Sequence, residues 1–103
     1  DRKYIICSNN IELCKEQKIF QGDNFVFNEV VPSDIYKGYF DLCLISKCKD
    51  FIISNSTFSW WGAWLSDNKS KRVIAPTPWY GPQLQHINTD DLYPDEWEKI
   101  VCN

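Results

Sequence analysis

Residues 50–65, DFIISNSTFSWWGAWL, join a short apolar run to a cluster of hydroxyl-bearing side chains and then to three tryptophans. The apolar run at 50–54 is predicted to form a β-strand, and the segment after it is predicted to form a helix that Asn55 or Ser56 caps. A strand that leads directly into a helix is the repeating unit of parallel α/β folds. This stretch therefore decides the predicted fold class.

The rest of the chain continues the alternation of strands and helices. Strands that are apolar throughout, rather than at every second position, are typical of a parallel sheet with both faces covered. Pro76 ends the last predicted strand because proline cannot donate to a strand ladder. The fold class is therefore predicted to be α/β, with a Rossmann-like parallel sheet flanked by helices. The predicted strands are 3–8, 24–29, 50–54 and 72–76, and the predicted helices follow an Asn10 cap, span 41–49 and 55–65, and return near 95–101.

Composition limits the size and the partners of the domain. With 44% hydrophobic content, residues 1–103 are expected to form a single compact domain around one core. A net charge of −3 without a basic stripe argues against a nucleic-acid partner. No apolar run approaches the ~20 residues of a membrane-spanning helix, so no transmembrane segment is expected. The absence of methionine indicates a piece of a longer protein.

The five cysteines are predicted to be buried free thiols. Their number is odd, and none of them forms a C-x-x-C pair of the kind that binds zinc. Free thiols favour a reducing compartment. They are Cys7, Cys14, Cys43, Cys48 and Cys102.

The hydroxyl-bearing side chains ahead of the tryptophans allow two interpretations. Ordinary N-capping is one, although a cap needs only one such residue. The other is a phosphate site without a bound metal, because Thr57 and Ser59 would lie beside unpaired first-turn N–H groups at the positive end of the helix dipole. Ligands of open parallel sheets gather at such strand-to-helix junctions. The residues alone leave both interpretations open.

The aromatic residues of this helix fall on two stripes, so the helix is predicted to be buried between partners. Gly62 and Ala63 would let another backbone approach closely. The alternative to core packing is an aromatic platform for a sugar or a base. One stripe holds Phe58, Trp61 and Leu65, and the other holds Trp60 and Trp64.

Three segments resemble the C-terminal part of the α-1,2-fucosyltransferases of glycosyltransferase family 11. They are YIICSNNIELCKE at 4–16, DLCLISKCKDFIISNSTFSWWGAWLS at 41–66 and RVIAPTPWY at 72–80. The resemblance implies the C-terminal, donor-binding half of a GT-B-type glycosyltransferase, whose N-terminal domain this chain lacks. It also implies GDP-fucose as donor substrate, no cofactor, a galactose-containing glycan as acceptor, inversion at the fucose anomeric carbon and no metal. The implied location is cytoplasmic or peripheral at the cytoplasmic membrane for a bacterial protein, and the Golgi lumen for a eukaryotic one.

Carried over position by position, the resemblance assigns a donor site. The hydroxyl cluster would meet the diphosphate of GDP, and Phe58 would shape the turn. Asp41 matches an acidic residue that accepts from the guanine N1–H and amino group, paired donors that suit a carboxylate. The residues alone equally allow Asp41 to cap a helix beginning at Leu42, and the resemblance favours guanine. The donor-binding candidates are Ser8, Asp41, Asn55, Ser56, Thr57, Phe58 and Ser59.

Two departures from the family pattern bear on activity. The family usually reads Ser-Asp-Asp after the first strand, whereas this chain reads Ser8-Asn9-Asn10 and so lacks two negative charges. The family's His-x-Arg-Arg-x-Asp motif, whose arginine should neutralise the leaving diphosphate, is absent. Stabilisation of developing charge is commonly the largest catalytic term, so the chain alone is predicted to be inactive. The alternative is a non-catalytic binding or scaffolding module with a fucosyltransferase-like fold.

The remaining polar and aromatic candidates receive no catalytic assignment. His86, in a proline-bounded polar loop, is predicted to be a surface residue. Trp79 and Tyr80 follow a strand end, where they could stack on a base or sugar or pack over the sheet edge. An acidic cluster is predicted to be solvated surface; it holds Asp90, Asp91, Asp95, Glu96 and Glu98.

Overall fold

The structure is a computed structural model that describes residues 2–8, 10–29 and 37–102, so Asn9 lies outside the described residues. The chain divides into two compact units, residues 1–41 and 42–103, and each is described by itself. Both units are α/β with parallel strands, as predicted. That residues 1–103 form one domain, and that the fold is Rossmann-like, stay predictions.

The first unit pairs two parallel strands around a short helix. β1 (Tyr4–Ile6) lies beside β2 (Phe25–Phe27), and α1 (Ile11–Lys15) connects them. Asn10 caps α1, because its side chain accepts a hydrogen bond from the Leu13 N–H at 3.2 Å. The predicted strands and the predicted cap are confirmed.

The second unit is a three-stranded parallel sheet in the order β3-β4-β5. β3 (Phe51–Ile52), β4 (Val73–Thr77) and β5 (Glu98–Val101) form the sheet, and α3 (Thr57–Trp64) connects the first two of these strands. α2 (Lys37–Ser46) precedes the sheet, and the boundary between the two units falls inside this helix.

The core of the second unit lies on one face of this sheet. Phe51 and Val73 occupy paired positions on that face and are 6% and 1% exposed. Ala63 of α3 is completely buried in the same cluster. A Cβ added to Gly62 would lie 3.0 Å from the Cβ of Ile45 and still closer to its Cγ2, so a close neighbour is present at this glycine, but it is the Ile45 side chain and not the predicted backbone. The other buried members are Ile53, Ala75, Trp79 and Trp97.

Two predictions about the last strands are wrong. β4 does not end at Pro76, which pairs with Ile100 of β5. Because β3 pairs only as far as Ile74, no ladder partner on that side needs the missing proline N–H. The predicted final helix near 95–101 is instead β5, which lies along the open edge of β4.

The predicted burial of α3 between partners is also wrong. Trp61 and Trp64 are 49% and 50% exposed, because α3 turns its small residues, Gly62 and Ala63, toward the core. α2 begins four residues earlier than the predicted 41, at Lys37. The five cysteines are thiols outside any disulfide, as predicted, but their predicted burial is wrong: Cys7, Cys14 and Cys48 are half-buried, and Cys43 and Cys102 are exposed.

Candidate functional site

The N-terminus of α3 lies directly after β3, where the sequence predicted the diphosphate site. Ser56 is the N-cap in an extended conformation, and its Oγ accepts a hydrogen bond from the Phe58 N–H at 3.2 Å. This bond satisfies one first-turn N–H group. The Ser56 hydroxyl hydrogen remains available for donation, because Oγ acts here as an acceptor.

Two other polar side chains at this end of α3 are engaged with the backbone. The Ser59 hydroxyl points its hydrogen toward the carbonyl oxygens of Ser56 at 2.9 Å and Ser54 at 3.2 Å. The Asn55 Nδ2 donates to the carbonyl oxygen of Trp79 at 3.3 Å. Phosphate oxygens need donors, so Ser59 holds the turn in shape and has no hydroxyl hydrogen to spare for an anion.

Thr57 is the candidate with an unused side-chain donor. It is exposed, and its hydroxyl makes no hydrogen bond to any residue within the described ranges. Phe58 flanks it and is 39% exposed. The groups that can meet an anion are therefore the hydroxyls of Ser56 and Thr57 and the backbone N–H groups of the first turn. We call these groups, with Ser59 and Phe58, the α3 tip.

The opposite end of α3 is held by a lysine that the sequence analysis did not single out. Lys71 Nζ donates to the carbonyl oxygens of Ala63 at 2.7 Å, Ser66 at 3.0 Å and Trp64 at 3.3 Å. A cation on the last carbonyls compensates the negative end of the helix dipole. The predicted helix ends at Leu65, and Lys69 lies nearer to that end than Lys71 does, so no local signal in the sequence identified Lys71.

A cavity of ≈ 180 Å³ lies at this same C-terminal end and does not include the α3 tip. Burial raises the pKa of the Cys48 thiol that lines it. A thiol held protonated is a poor nucleophile. The other lining residues are Ser46, Lys47, Leu65, Ser66, Asp67 and Asn68.

The two remaining donor-site candidates belong to the first unit. Ser8 follows β1, and its Oγ accepts a hydrogen bond from the Asn10 N–H at 2.9 Å. Asp41 is 6% exposed, and its Oδ1 accepts from Asn28 Nδ2 at 2.5 Å. The alternative that Asp41 caps a helix is wrong, because Asp41 lies inside α2, which begins at Lys37. Sequence reasoning missed Asn28.

The structure thus brings Asn55, Ser56, Thr57, Phe58 and Ser59 together in the second unit and places Ser8 and Asp41 in the first. That both groups line a single cleft stays a prediction.

The candidates that received no catalytic assignment are surface or core residues. His86 and all members of the acidic cluster are exposed, as predicted. Within that cluster, Glu98 forms an ion pair with Arg72, which holds the pKa of the glutamate below its usual value. Trp79 is 5% exposed and meets Tyr93 edge to face, so it packs in the core.

The described ranges hold neither a candidate metal site nor a helix that could span a membrane. No group of three or more His, Cys, Asp or Glu side chains is placed to hold a metal ion. No helix there has the length and apolar character needed to cross a bilayer.

Comparison with known proteins confirms the family resemblance found in the sequence. Residues 1–101 match the family model described as Glycosyl transferase family 11. The chain belongs to glycosyl transferase family 11. No solved structure matches it.

Two proteins from Escherichia coli are similar to this chain over most of its length. An alpha-1,2-colitosyltransferase is 38% identical over 100 residues, which are 94% of this chain and 32% of the relative. The O-antigen biosynthesis glycosyltransferase WbnK is 34% identical over 93 residues, which are 90% of this chain and 28% of the relative. The chain thus spans about a third of the length of these relatives.

Proposed function

We propose that the chain is the donor-binding part of a glycosyltransferase that transfers fucose from GDP-fucose to a galactose-containing glycan, in α-1,2 linkage, with inversion and without a metal. It would form the C-terminal half of a GT-B-type enzyme. Family membership supports glycosyl transfer, and the resemblance to α-1,2-fucosyltransferases supports the donor and the linkage. The acceptor would be held mainly by an N-terminal domain outside this chain.

The observation that carries the proposal is the open α3 tip. It follows a strand of a parallel sheet, at the edge where ligands of such sheets bind. Thr57 offers an unused hydroxyl there, beside first-turn N–H groups and the positive end of the helix dipole. The arrangement suits the paired phosphates of a nucleotide, which present only acceptors and negative charge.

Guanine recognition by Asp41 is the less direct part of the proposal. The carboxylate has the right chemistry for the N1–H and amino donors of guanine. The structure buries it, however, and gives it the Asn28 amide as a partner. Guanine would have to replace that amide at Oδ1.

Turnover would require a cation that this sequence does not supply through the family's His-x-Arg-Arg-x-Asp motif. The departing GDP develops negative charge, and a group facing that charge commonly provides the largest catalytic term. We therefore propose that the isolated chain binds GDP and transfers no sugar. Transfer would appear only when the arginine motif is present in the same enzyme.

Calorimetric titration of GDP into the chain, with a Thr57→Val variant, tests the diphosphate site. Valine keeps the shape of the side chain and removes the hydroxyl, so we expect GDP affinity to fall roughly tenfold or more, since a hydrogen bond to a charged group contributes about 1.5–3 kcal/mol. The melting temperature should not change. Thr89→Val, a change of the same chemistry in a loop, is the control and should bind GDP like the wild type.

The outcomes separate this proposal from its alternative. Wild-type GDP affinity in Thr57→Val, or no heat at millimolar GDP from a folded wild-type chain, would reject the donor site. The second outcome would favour the non-catalytic scaffolding module, for which the burial of Asp41 is the specific support. Because one relative is named a colitosyltransferase, colitosyl and fucosyl donors should be compared before the donor sugar is assigned.

A further inference from the structure

Backbone pairing between β3 and β4 stops before the chain reaches the α3 tip. Among the described residues, the pairing ends with a hydrogen bond from the Ile53 N–H to the carbonyl oxygen of Ile74 at 2.9 Å. Pro76, farther along β4, has no N–H with which to extend it. The chain that leads from β3 into α3 therefore needs another restraint to hold it beside β4.

A side-chain hydrogen bond supplies this restraint. Asn55 directly precedes the N-cap Ser56, and its Nδ2 donates to the carbonyl oxygen of Trp79 at 3.3 Å. The donor must be the amide nitrogen, because a carbonyl oxygen can only accept. The bond connects the residue before the α3 tip to the segment that follows β4.

The acceptor of this bond belongs to a residue that is itself held in place. Trp79 is 5% exposed, and its ring meets that of Tyr93 edge to face at a centroid distance of 6.2 Å. The Tyr93 hydroxyl donates to the carbonyl oxygen of Pro76 at 2.6 Å. A donor that binds a carbonyl group fixed in this way is restrained by it.

The α3 tip is thus restrained from two directions. From within the helix, the hydroxyl of Ser59 meets the carbonyl oxygens of Ser54 and Ser56. From the neighbouring strand, the Trp79 carbonyl group holds Asn55. The two restraints bracket the residues that present the first-turn N–H groups.

We propose that Asn55 is a positioning residue for the diphosphate. Through its bond to Trp79 it sets the direction of the first-turn N–H groups and of the Thr57 hydroxyl, and its own amide does not contact the nucleotide. This inference rests on the proposed function and deepens it. It differs from the resemblance, which placed Asn55 among the groups that bind the donor.

Calorimetric titration of GDP into Asn55→Ala tests the proposal. GDP affinity should fall about threefold to tenfold, because binding must then restore the order that one hydrogen bond between neutral groups provided. Asn68→Ala is the matched control, since the Asn68 Nδ2 donates to the carbonyl oxygen of Lys49 at 3.0 Å, in the loop after α3. It should lower the melting temperature at least as much and leave GDP affinity unchanged. Wild-type affinity in Asn55→Ala would overturn the proposal.

Combination with Thr57→Val separates positioning from direct contact. If Asn55 acts through the tip, its loss matters less once the Thr57 hydroxyl is gone. The double variant should therefore lose less affinity than the product of the two single losses. Losses that multiply would show that Asn55 meets the nucleotide independently, against the proposal.

NMR spectra give a readout that needs no variant to bind GDP. In the free chain, Asn55→Ala should shift the amide signal of Tyr80, whose N–H shares a peptide group with the Trp79 carbonyl, and those of Thr57 and Phe58. In the wild type with GDP, the Asn55 side-chain amide should show no scalar coupling to phosphorus, and a detected coupling would make Asn55 a ligand.

The outcomes distinguish this inference from the proposed function. A chain in which Asn55→Ala shifts these amide signals, and which binds no GDP, would refute the proposed function. A chain that binds GDP, but in which the Tyr80 signal is unchanged by Asn55→Ala, would refute the positioning role alone. Should Asn55→Ala fail to fold, the phosphorus coupling in the wild type still decides between ligand and positioning residue.

Discussion

Lys71 shows how a single side chain can hold one end of the helix that carries the α3 tip. Its ammonium group donates hydrogen bonds to two carbonyl oxygens of the last turn of α3, those of Ala63 and Trp64, and to that of Ser66 just beyond the helix. Neither the hydrophobic pattern nor the donor-site motif depends on this residue. Lys71 reaches the end of α3 only because the loop that follows the helix turns back toward it.

Lys71→Met should therefore destabilise the chain while keeping most of the aliphatic stem. We expect a loss of about 2 kcal/mol in the free energy of unfolding, because carbonyl groups lose a charged donor. Lys69→Met, two positions earlier and exposed, should change stability little. Urea unfolding of both variants measures the difference, and equal losses would contradict the role given to Lys71.

The ion pair between Arg72 and Glu98 should make a small, pH-dependent contribution to stability. Arg72 lowers the pKa of Glu98 in the folded chain, so the contribution is full above the unfolded pKa of glutamate and is lost as pH falls through the folded pKa. In Arg72→Gln, the pKa of Glu98 should rise toward its usual value. Carbon-detected NMR titration of the Glu98 carboxylate measures this rise, and an unchanged pKa would exclude the ion pair in solution.

At the scale of elements, the packing of α2 against α3 depends on the missing side chain of Gly62. A methyl group there would collide with Ile45 of α2. Overpacking of this kind costs about 1–3 kcal/mol, whereas alanine improves helix propensity over glycine by about 1 kcal/mol. The cost of the collision should exceed the gain in helix propensity, because the obstructing atoms are the Cβ and Cγ2 of Ile45, which lie close to its backbone and cannot move away easily.

Gly62→Ala should consequently lower the free energy of unfolding by up to about 2 kcal/mol, the balance of overpacking and helix propensity. The sign should reverse in an Ile45→Ala background, where the methyl group fills vacated space. Gly81→Ala is the control, since a Cβ at that position meets nothing within 4 Å. Loss of stability by Gly62→Ala in both backgrounds would contradict the proposed contact.

The elements also show which structural features the sequence could predict. Local signals identified β1, the Asn10 cap, β3 and the start of α3, because apolar runs and capping side chains act over a few residues. The final segment was predicted as a helix and is β5. Its structure depends on the edge of β4, which lies about twenty residues earlier in the chain, and propensity yields to such tertiary pairing.

At the scale of the whole molecule, the burial of α3 could not be predicted from its composition. Two aromatic stripes led to the expectation of a fully enclosed helix, yet Trp61 and Trp64 are half exposed. The burial of a helix face depends on which other elements pack against it, and a helix's own composition does not specify them. The relatives are about three times as long as the region that this chain matches. The hydroxyl motif was located correctly because a strand-to-helix junction needs only adjacent residues.

The tryptophan cluster on α3 gives this chain a built-in optical reporter. The rings of Trp61, Trp64 and Trp97 lie 5.0, 5.5 and 5.7 Å from that of Trp60, whose indole N–H is fixed on the carbonyl oxygen of Leu92 at 2.7 Å. Rings this close share excitation, so emission from the group follows the solvation of its two half-exposed members. Nucleotide arriving at one end of α3 should shift the intrinsic fluorescence without any attached dye.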